Sequence, residues 1–337
     1  MKEAFLYQKL EGNKVQCNLC AHRCVIHPGK YGICKVRENI NGKLYTKVYG
    51  RAIAQHIDPV EKKPLYHFYP GTKVYSLATP GCNFHCRFCQ NWDISQVTHE
   101  SILKLGQKAT PQQIVQNATQ TGCKSIAYTY TDPTVFFEYS YDIARLAHKA
   151  GLKNIYVSNG YMTCELLDMI APYLDAVNID LKAFRDETYR RIIGGHLQPV
   201  LDNLKKLKQM GIWLEVTSLI IPGINDDPGE IRDMVNFVAG ELGTDVPWHI
   251  SRFFPAWKMK NVPVTPLKTL QMAKATGYEE GLKYVYIGNV TTNTETTRCP
   301  HCGYAVINRL NSGIRKNNIY DGRCPKCGTE ISGVGLG

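Results

Sequence analysis

The residues with chemistry to offer are cysteines, and they come in groups. Cys82, Cys86 and Cys89 form a C-x3-C-x2-C run on one short stretch. Thiolates at this spacing can each take one iron of a cubane [4Fe–4S] cluster. Electron-transfer clusters are held by four cysteines, so a set of three leaves one iron open to a further ligand. A zinc site is the competing use of the same thiols. Chance grouping is a poor explanation, because the run follows an apolar segment, Val74 to Leu77, and a Pro80-Gly81 turn.

Two more sets flank the triplet. Cys299-Pro300-His301-Cys302-Gly303 and Cys324-Pro325-Lys326-Cys327-Gly328 are C-P-x-C-G knuckles. Their glycines permit the tight turn that points backbone N–H groups at thiolate sulfur. Four soft ligands predict a closed tetrahedral site, which suits structural zinc rather than catalysis. A module this small could hardly build a core without metal. His301 reads as a spacer. Near the start, Cys17, Cys20, Cys24 and Cys34 lie in a loop-rich module marked by Pro28-Gly29 and Asn41-Gly42. Zinc and a second [4Fe–4S] cluster both fit that set by ligand type. Zinc is preferred, because small closed four-cysteine sites are more often structural. His22 and His27 are lesser ligand candidates. Cys123 and Cys164 stand alone and read as packing thiols.

These groups need a scaffold. From residue 74 the chain alternates β-rich runs with helical patterns, the mark of parallel βα units. The predicted strands are Val74–Thr79, Ser125–Tyr130, Asn154–Ser158, Ala176–Leu181, Trp213–Leu219 and Trp248–Arg252, with Lys283–Ile287 as a candidate seventh. Helical patterns run over Pro111–Thr121 behind Thr110 as N-cap, Thr134–Ala150, Thr163–Tyr173, Pro199–Met210, Asp227–Leu242 and Pro266–Thr276. Gly151, Gly211 and Gly277 read as helix stops. The predicted class is α/β, a partial (β/α)6 TIM-like barrel over residues 71–290. An N-terminal Cys-rich module and linker occupies 1–70, and a zinc-ribbon-like module occupies 291–337.

Ligands of such barrels bind at the carboxyl ends of the strands. Thr131-Asp132-Pro133 follows the second strand there and reads as a ligand contact or an Asx turn opening a helix. Ser158-Asn159-Gly160 follows the third, where glycine permits close backbone approach or an ordinary loop. Asp180 and Lys182 end the fourth and face one side. Inward charges are costly without a ligand or partner, so they bind something or close the strand end as a pair. Ile220-Ile221-Pro222-Gly223 ends the fifth as an apolar shelf or simple core. His249 and Arg252 lie on the sixth, where a lone histidine is structural or faces the active site.

The triplet with Phe88 directly before its third cysteine resembles the radical S-adenosylmethionine (SAM) superfamily. That resemblance implies that the open iron chelates S-adenosyl-L-methionine (AdoMet). One electron then splits AdoMet into methionine and a 5′-deoxyadenosyl radical, which abstracts a substrate hydrogen. It implies Thr131 and Asp132 as contacts of the AdoMet amine, although the usual G-G-E-P segment is absent. It places Ser158 and Asn159 near the ribose, Ile220 under the adenine, and His249 facing AdoMet or substrate. The D-L-K run is similar to that of glycyl-radical activating enzymes, where the lysine contacts AdoMet with the aspartate beside it; this implies those roles for Lys182 and Asp180. Nearly the whole chain takes part in a closer likeness. The N-terminal cysteines, Glu61-Lys62-Lys63-Pro64-Leu65-Tyr66-His67, C-N-F-x-C-x-F-C-Q-N-W, D-P-T and the terminal knuckles follow one order. That order resembles the radical SAM protein of the AmmeMemoRadiSam system, a relative of pyruvate formate-lyase activating enzyme. The implied activity is an activating-enzyme-like oxidoreductase with an external reductant of flavodoxin or ferredoxin type and a protein substrate.

Composition bounds the alternatives. An apolar content of 44% with 10% aromatic residues in 337 residues excludes a disordered chain. Thirteen cysteines cannot all pair as disulfides. Neither a secretory h-region nor a run of about 20 apolar residues is present, so the expected location is cytoplasmic, without a membrane partner. The net charge of +11 admits RNA. Its Lys and Arg are dispersed, however, without the aromatic-interleaved run of single-strand binders. Metal-bound thiolates would also lower the charge to roughly +6. Radical modification of RNA or a small molecule is therefore the second expectation. A non-catalytic zinc or iron–sulfur interaction or electron-transfer protein is the third, and the open iron counts against it.

Overall fold

The computed structural model describes residues 1–102, 104–290, 295–310 and 312–337. Its centre is an eight-stranded sheet, seven of whose strands are short and mostly buried runs. Ser125–Tyr128 is buried along its whole length and Ala176–Asp180 along all but its last residue, as strands covered on both faces must be. The strands Lys73–Ala78, Ser125–Tyr128, Lys153–Ser158, Ala176–Asp180, Trp213–Ile220, Trp248–Arg252 and Val285–Gly288 are parallel and follow chain order. All six predicted strands and the candidate seventh are present. The architecture is the expected α/β type with a mostly parallel sheet, and among the described residues the sheet does not close into a full barrel. An antiparallel strand, Ala54–Pro59, edges it beside Lys73–Ala78. Its polar composition, Ala-Gln-His-Ile-Asp-Pro, carries no strand pattern, because only part of it is buried.

The helices between the strands start where the sequence caps them. Thr110 accepts from the Gln113 amide, while the Gln113 side chain accepts from the Thr110 N–H, a capping box before Pro111–Gln120. Thr163 and Asp227 cap Cys164–Ile170 and Pro228–Phe237 in the same sense. Gly277 is a correction. The helix Leu267–Glu279 runs through it. A Cβ there would come within 2.9 Å of Val285 and 3.3 Å of the Trp248 ring, so this glycine serves helix–sheet contact. The left-handed stop is Gly281, at φ +92°. Cys164 is another correction, since it is exposed at its helix start, whereas Cys123 is buried.

The linker after Ala54–Pro59 packs against the sheet near the amino end of Trp213–Ile220. The buried carboxylate of Glu215 accepts from the Tyr66 and His67 backbone N–H groups, at 3.0 and 2.8 Å. Trp213 Nε1 and His249 Nε2 also donate to it. Burial alone would raise Glu215, but these hydrogen bonds, His249 foremost, hold it below the ordinary carboxylate range. Asn178 Nδ2 donates to Pro64 O. His67 Nδ1 donates to Ser332 O, and its Nε2 accepts from Tyr286.

The C-terminal segment carries a small antiparallel sheet, Thr297–Arg298, Ala305–Leu310 and Gly313–Asn317. Arg309 is buried, pairs with Glu61 and lies over the Tyr66 ring. The boundary expected at residue 291 lies outside the described residues.

Candidate active site

The cysteine loop leaves Lys73–Ala78 through Pro80-Gly81. Gly81 has φ +96°, and a Cβ there would meet Val36 at 2.4 Å. The loop is then fastened to residues 192–195. His85 N–H donates to Ile193 O and Arg87 N–H to Ile192 O, at 2.9 and 3.0 Å. Phe84 lies against Gly195, where a Cβ would come within 2.4 Å of its ring. Gln96 accepts from His85 Nδ1 and donates to Phe84 O. This bracing turns Cys82, Cys86 and Cys89 into one cavity of about 320 Å³ at the carboxyl ends of the parallel strands.

Most of the anticipated residues surround that cavity. Asp180 and Lys182 face it as an ion pair with Nζ 2.9 Å from Oδ2. Burial pulls Lys182 down, but Asp180 and Cys86 outweigh it and hold the ammonium above its ordinary pKa. Burial pushes the Cys86 thiol up to about 12, opposed by Lys182. Thr131, Asp132, Ser158 and Asn159 also line the cavity, but their polar groups are already engaged within the protein. Thr131 donates to Thr79 O. Asp132 accepts from Thr134 N–H, Ser158 Oγ and Asn159 N–H, all at 2.8 to 2.9 Å. The Asx-turn geometry is thus present beside the cavity position.

Two anticipated residues lie elsewhere. Ile220 is fully buried, and its carbonyl accepts from Thr265. His249 shares the inward parity of Ser251 but sits one layer deeper, paired in register with Thr217 and bound to Glu215. Neither lines the cavity.

Sequence reasoning missed three contributors. Asn83 Oδ1 accepts from Asn159 Nδ2 at 2.7 Å and lies 3.7 Å from Cys82 Sγ. Lys63 and Tyr130 line the cavity through Asp58, which accepts from both and from Ser76. Burial would raise Asp58, yet Lys63 and Tyr130 hold it well below the usual range. Tyr130 holds φ +64°, strained for a residue of its size, and its carbonyl accepts from Asn91. The odd charged-proline look of the linker was the only signal for Lys63.

The residues fit a thiolate-bound cluster with a polar ligand. The donor set is three soft sulfurs, Cys86 buried and Cys82 and Cys89 half-buried, beside a cation. Thr217 also lines the cavity, and its buried Oγ1 has no protein partner.

The C-terminal quartet is tighter. Cys299 and Cys327 sulfurs lie 3.6 Å apart and those of Cys302 and Cys324 3.7 Å, with all four within 4.8 Å. One tetrahedral ion with bonds of about 2.3 Å needs sulfurs about 3.8 Å apart. The knuckle glycines close each turn themselves, Gly303 N–H onto Cys299 O and Gly328 N–H onto Cys324 O.

A family model described as the Radical SAM superfamily matches residues 76–238. The uncharacterized protein MJ0808 of Methanocaldococcus jannaschii is 46% identical over 334 residues, covering 98% of this chain and 99% of that one. The chain belongs to the radical SAM superfamily. A [4Fe–4S] cluster, AdoMet and an external one-electron reductant go with radical SAM membership. This radical SAM protein is also 28% identical over 175 residues to a probable GTP 3′,8-cyclase of Thermococcus kodakarensis, covering 50% of this chain and 54% of that one. It is 26% identical over 184 residues to pyruvate formate-lyase 1-activating enzyme of Escherichia coli, covering 50% and 71%. No described helix is long and apolar enough to cross a membrane.

Proposed function

We propose that this radical SAM enzyme is an activating-enzyme-like oxidoreductase that takes a hydrogen atom from a protein substrate. One observation carries the reading: the Cys82, Cys86 and Cys89 thiols share a single cavity with the Lys182–Asp180 pair. The three cysteines are assigned to the [4Fe–4S] cluster. Lys182 is assigned to the AdoMet carboxylate, which an ammonium attracts as a point charge. Asp180 positions that ammonium. Asp132, Ser158 and Asn159 form a pre-organised wall, and Thr131 and Thr217 border the same space. A cluster held by Cys82, Cys86 and Cys89 would supply one electron to the AdoMet sulfonium, breaking its 5′ C–S bond to give methionine and a 5′-deoxyadenosyl radical. Phe84 and Phe88 give the cavity part of its apolar lining. The likeness to an activating enzyme supports a protein substrate. The likeness to a GTP cyclase supports a small-molecule substrate as the second reading. Zinc is assigned to the C-terminal quartet on its sulfur spacing.

The test is anaerobic reconstitution with AdoMet and dithionite. The expected result is 5′-deoxyadenosine from the intact protein and none from Cys86→Ala. No product from the intact protein, or full yield from the variant, overturns the reading. A glycyl-radical EPR doublet on an added partner protein decides for activation. GTP consumption without such a radical decides for the second reading.

A further inference from the structure

The N-terminal quartet is not built like the C-terminal one. The C-terminal sulfurs match a single tetrahedral ion, all four lying within 4.8 Å of one another. Among the described residues, no three of the Cys17, Cys20, Cys24 and Cys34 sulfurs meet that limit, and neither do Cys82, Cys86 and Cys89. A single zinc holds its thiolates at a tetrahedral edge of about 3.8 Å, the spacing that the C-terminal quartet has and this one lacks. A cubane suits the wider spread, because each thiolate takes a different iron corner, which sets the sulfurs farther apart.

The surroundings point the same way. The four cysteines line one small pocket together with Arg37 and Asn83, and its remaining wall is largely apolar, including Leu19, Ile26 and Ile33. Arg37 is 2% exposed; its Nη2 binds Glu138, while Nε and Nη1 have no partner. Buried N–H groups without partners are costly, so they imply an acceptor that belongs there. An anionic cluster, whose sulfurs accept N–H hydrogen bonds, is such an acceptor. Asn83 is 1% exposed, and its Nδ2 is likewise without a partner. Its Oδ1 meanwhile lies 3.7 Å from Cys82 Sγ. One amide side chain therefore stands between the quartet's pocket and the loop of the AdoMet site. A redox-inert zinc gains nothing from that adjacency, whereas a one-electron centre does.

We infer that Cys17, Cys20, Cys24 and Cys34 hold a second [4Fe–4S] cluster, fully ligated by protein and set beside the first. The inference rests on the reading of Cys82, Cys86 and Cys89 as ligands of the first cluster. It replaces the preference for zinc drawn from small closed four-cysteine sites being more often structural.

The experiment counts metals in the anaerobically reconstituted full chain and in two variants. The intact protein is expected to hold about eight irons and about one zinc. The variant with Cys82, Cys86 and Cys89 all changed to Ala is expected to keep about four irons. Its reduced EPR signal should not respond to AdoMet. Cys20→Ala/Cys34→Ala is expected to lose about four irons and keep its zinc. Two zincs in the intact protein, or a folded triplet variant without iron, overturns the inference. The triplet variant does not depend on whether the quartet variant folds. Failure of the first-cluster reading would show differently, as an iron count that loss of the triplet leaves unchanged.

Discussion

Asn159 donates its side-chain amide to Asn83 Oδ1 at 2.7 Å, tying the turn after Lys153–Ser158 to the cysteine loop. Asn159 Oδ1 is itself held by the Tyr161 N–H. Both asparagines are buried, so Asn159→Ala leaves an unpaired acceptor beside Cys82 at a cost of about 1–3 kcal/mol. The expected outcome is a protein that folds but retains less iron after desalting, measured against the intact chain under the same anaerobic handling.

Lys182→Ala removes the cavity-lining cation that pairs with Asp180 and leaves that carboxylate unpaired. Truncating one partner of a charge pair between protein and ligand costs about 2–5 kcal/mol. AdoMet affinity is expected to fall at least about 30-fold by equilibrium dialysis. Iron content should stay near that of the intact protein, because Lys182 is not a ligand. Unchanged affinity would remove Lys182 from its assigned role.

Stability should fall with acid through His67. Burial lowers its pKa from 6.5 to about 4. Its folded-state value is depressed, so its contribution is complete above about pH 6.5 and is lost as pH falls toward 4. The slope from this group is up to about 1.4 kcal/mol per pH unit. His67→Gln should be less stable at pH 7 and show a flatter loss between pH 6.5 and 4, read from denaturant midpoints.

Removing metal from the C-terminal quartet should unfold that segment. Small four-cysteine modules draw their folding energy from the ion. Chelation, or Cys302→Ser, is expected to release about one zinc and open residues 297–336 to proteolysis. Cleavage should be absent in the loaded protein.

Arg309→Met strands Glu61 in the interior. Breaking a buried pair costs about 3–5 kcal/mol. The double variant Glu61→Gln/Arg309→Met should recover part of that loss, since the uncompensated charge is gone. Thermal melts of the two variants give the comparison.

The parallel strands were legible because each is a near-continuous apolar run bounded by turn residues, as Ile155 to Val157 illustrates. The triplet was legible because its spacing is local. What the sequence hid depends on distant partners. His249 has the inward parity of an active-site residue, and only Glu215, 34 positions earlier, shows that its ring nitrogen is already committed. Asp132 is similarly occupied by Ser158 and Asn159, contacts that no local pattern encodes. Gly277 resembled a stop because a packing glycine and a capping glycine are the same letter; its neighbours Trp248 and Val285 decide which it is.

The lock between His67 and Ser332 joins residues 265 positions apart, and Phe68 bridges to Val334 alongside it. Closing so long a loop is entropically expensive, and contacts of this range slow folding. The strand–helix units between them pair strands far closer in sequence, such as Lys153–Ser158 with Ala176–Asp180, and can form first. The underside of the sheet is therefore expected to set last, as a slow phase in refolding. Tyr66 and Tyr286 fluorescence would report it well after the helical signal has returned.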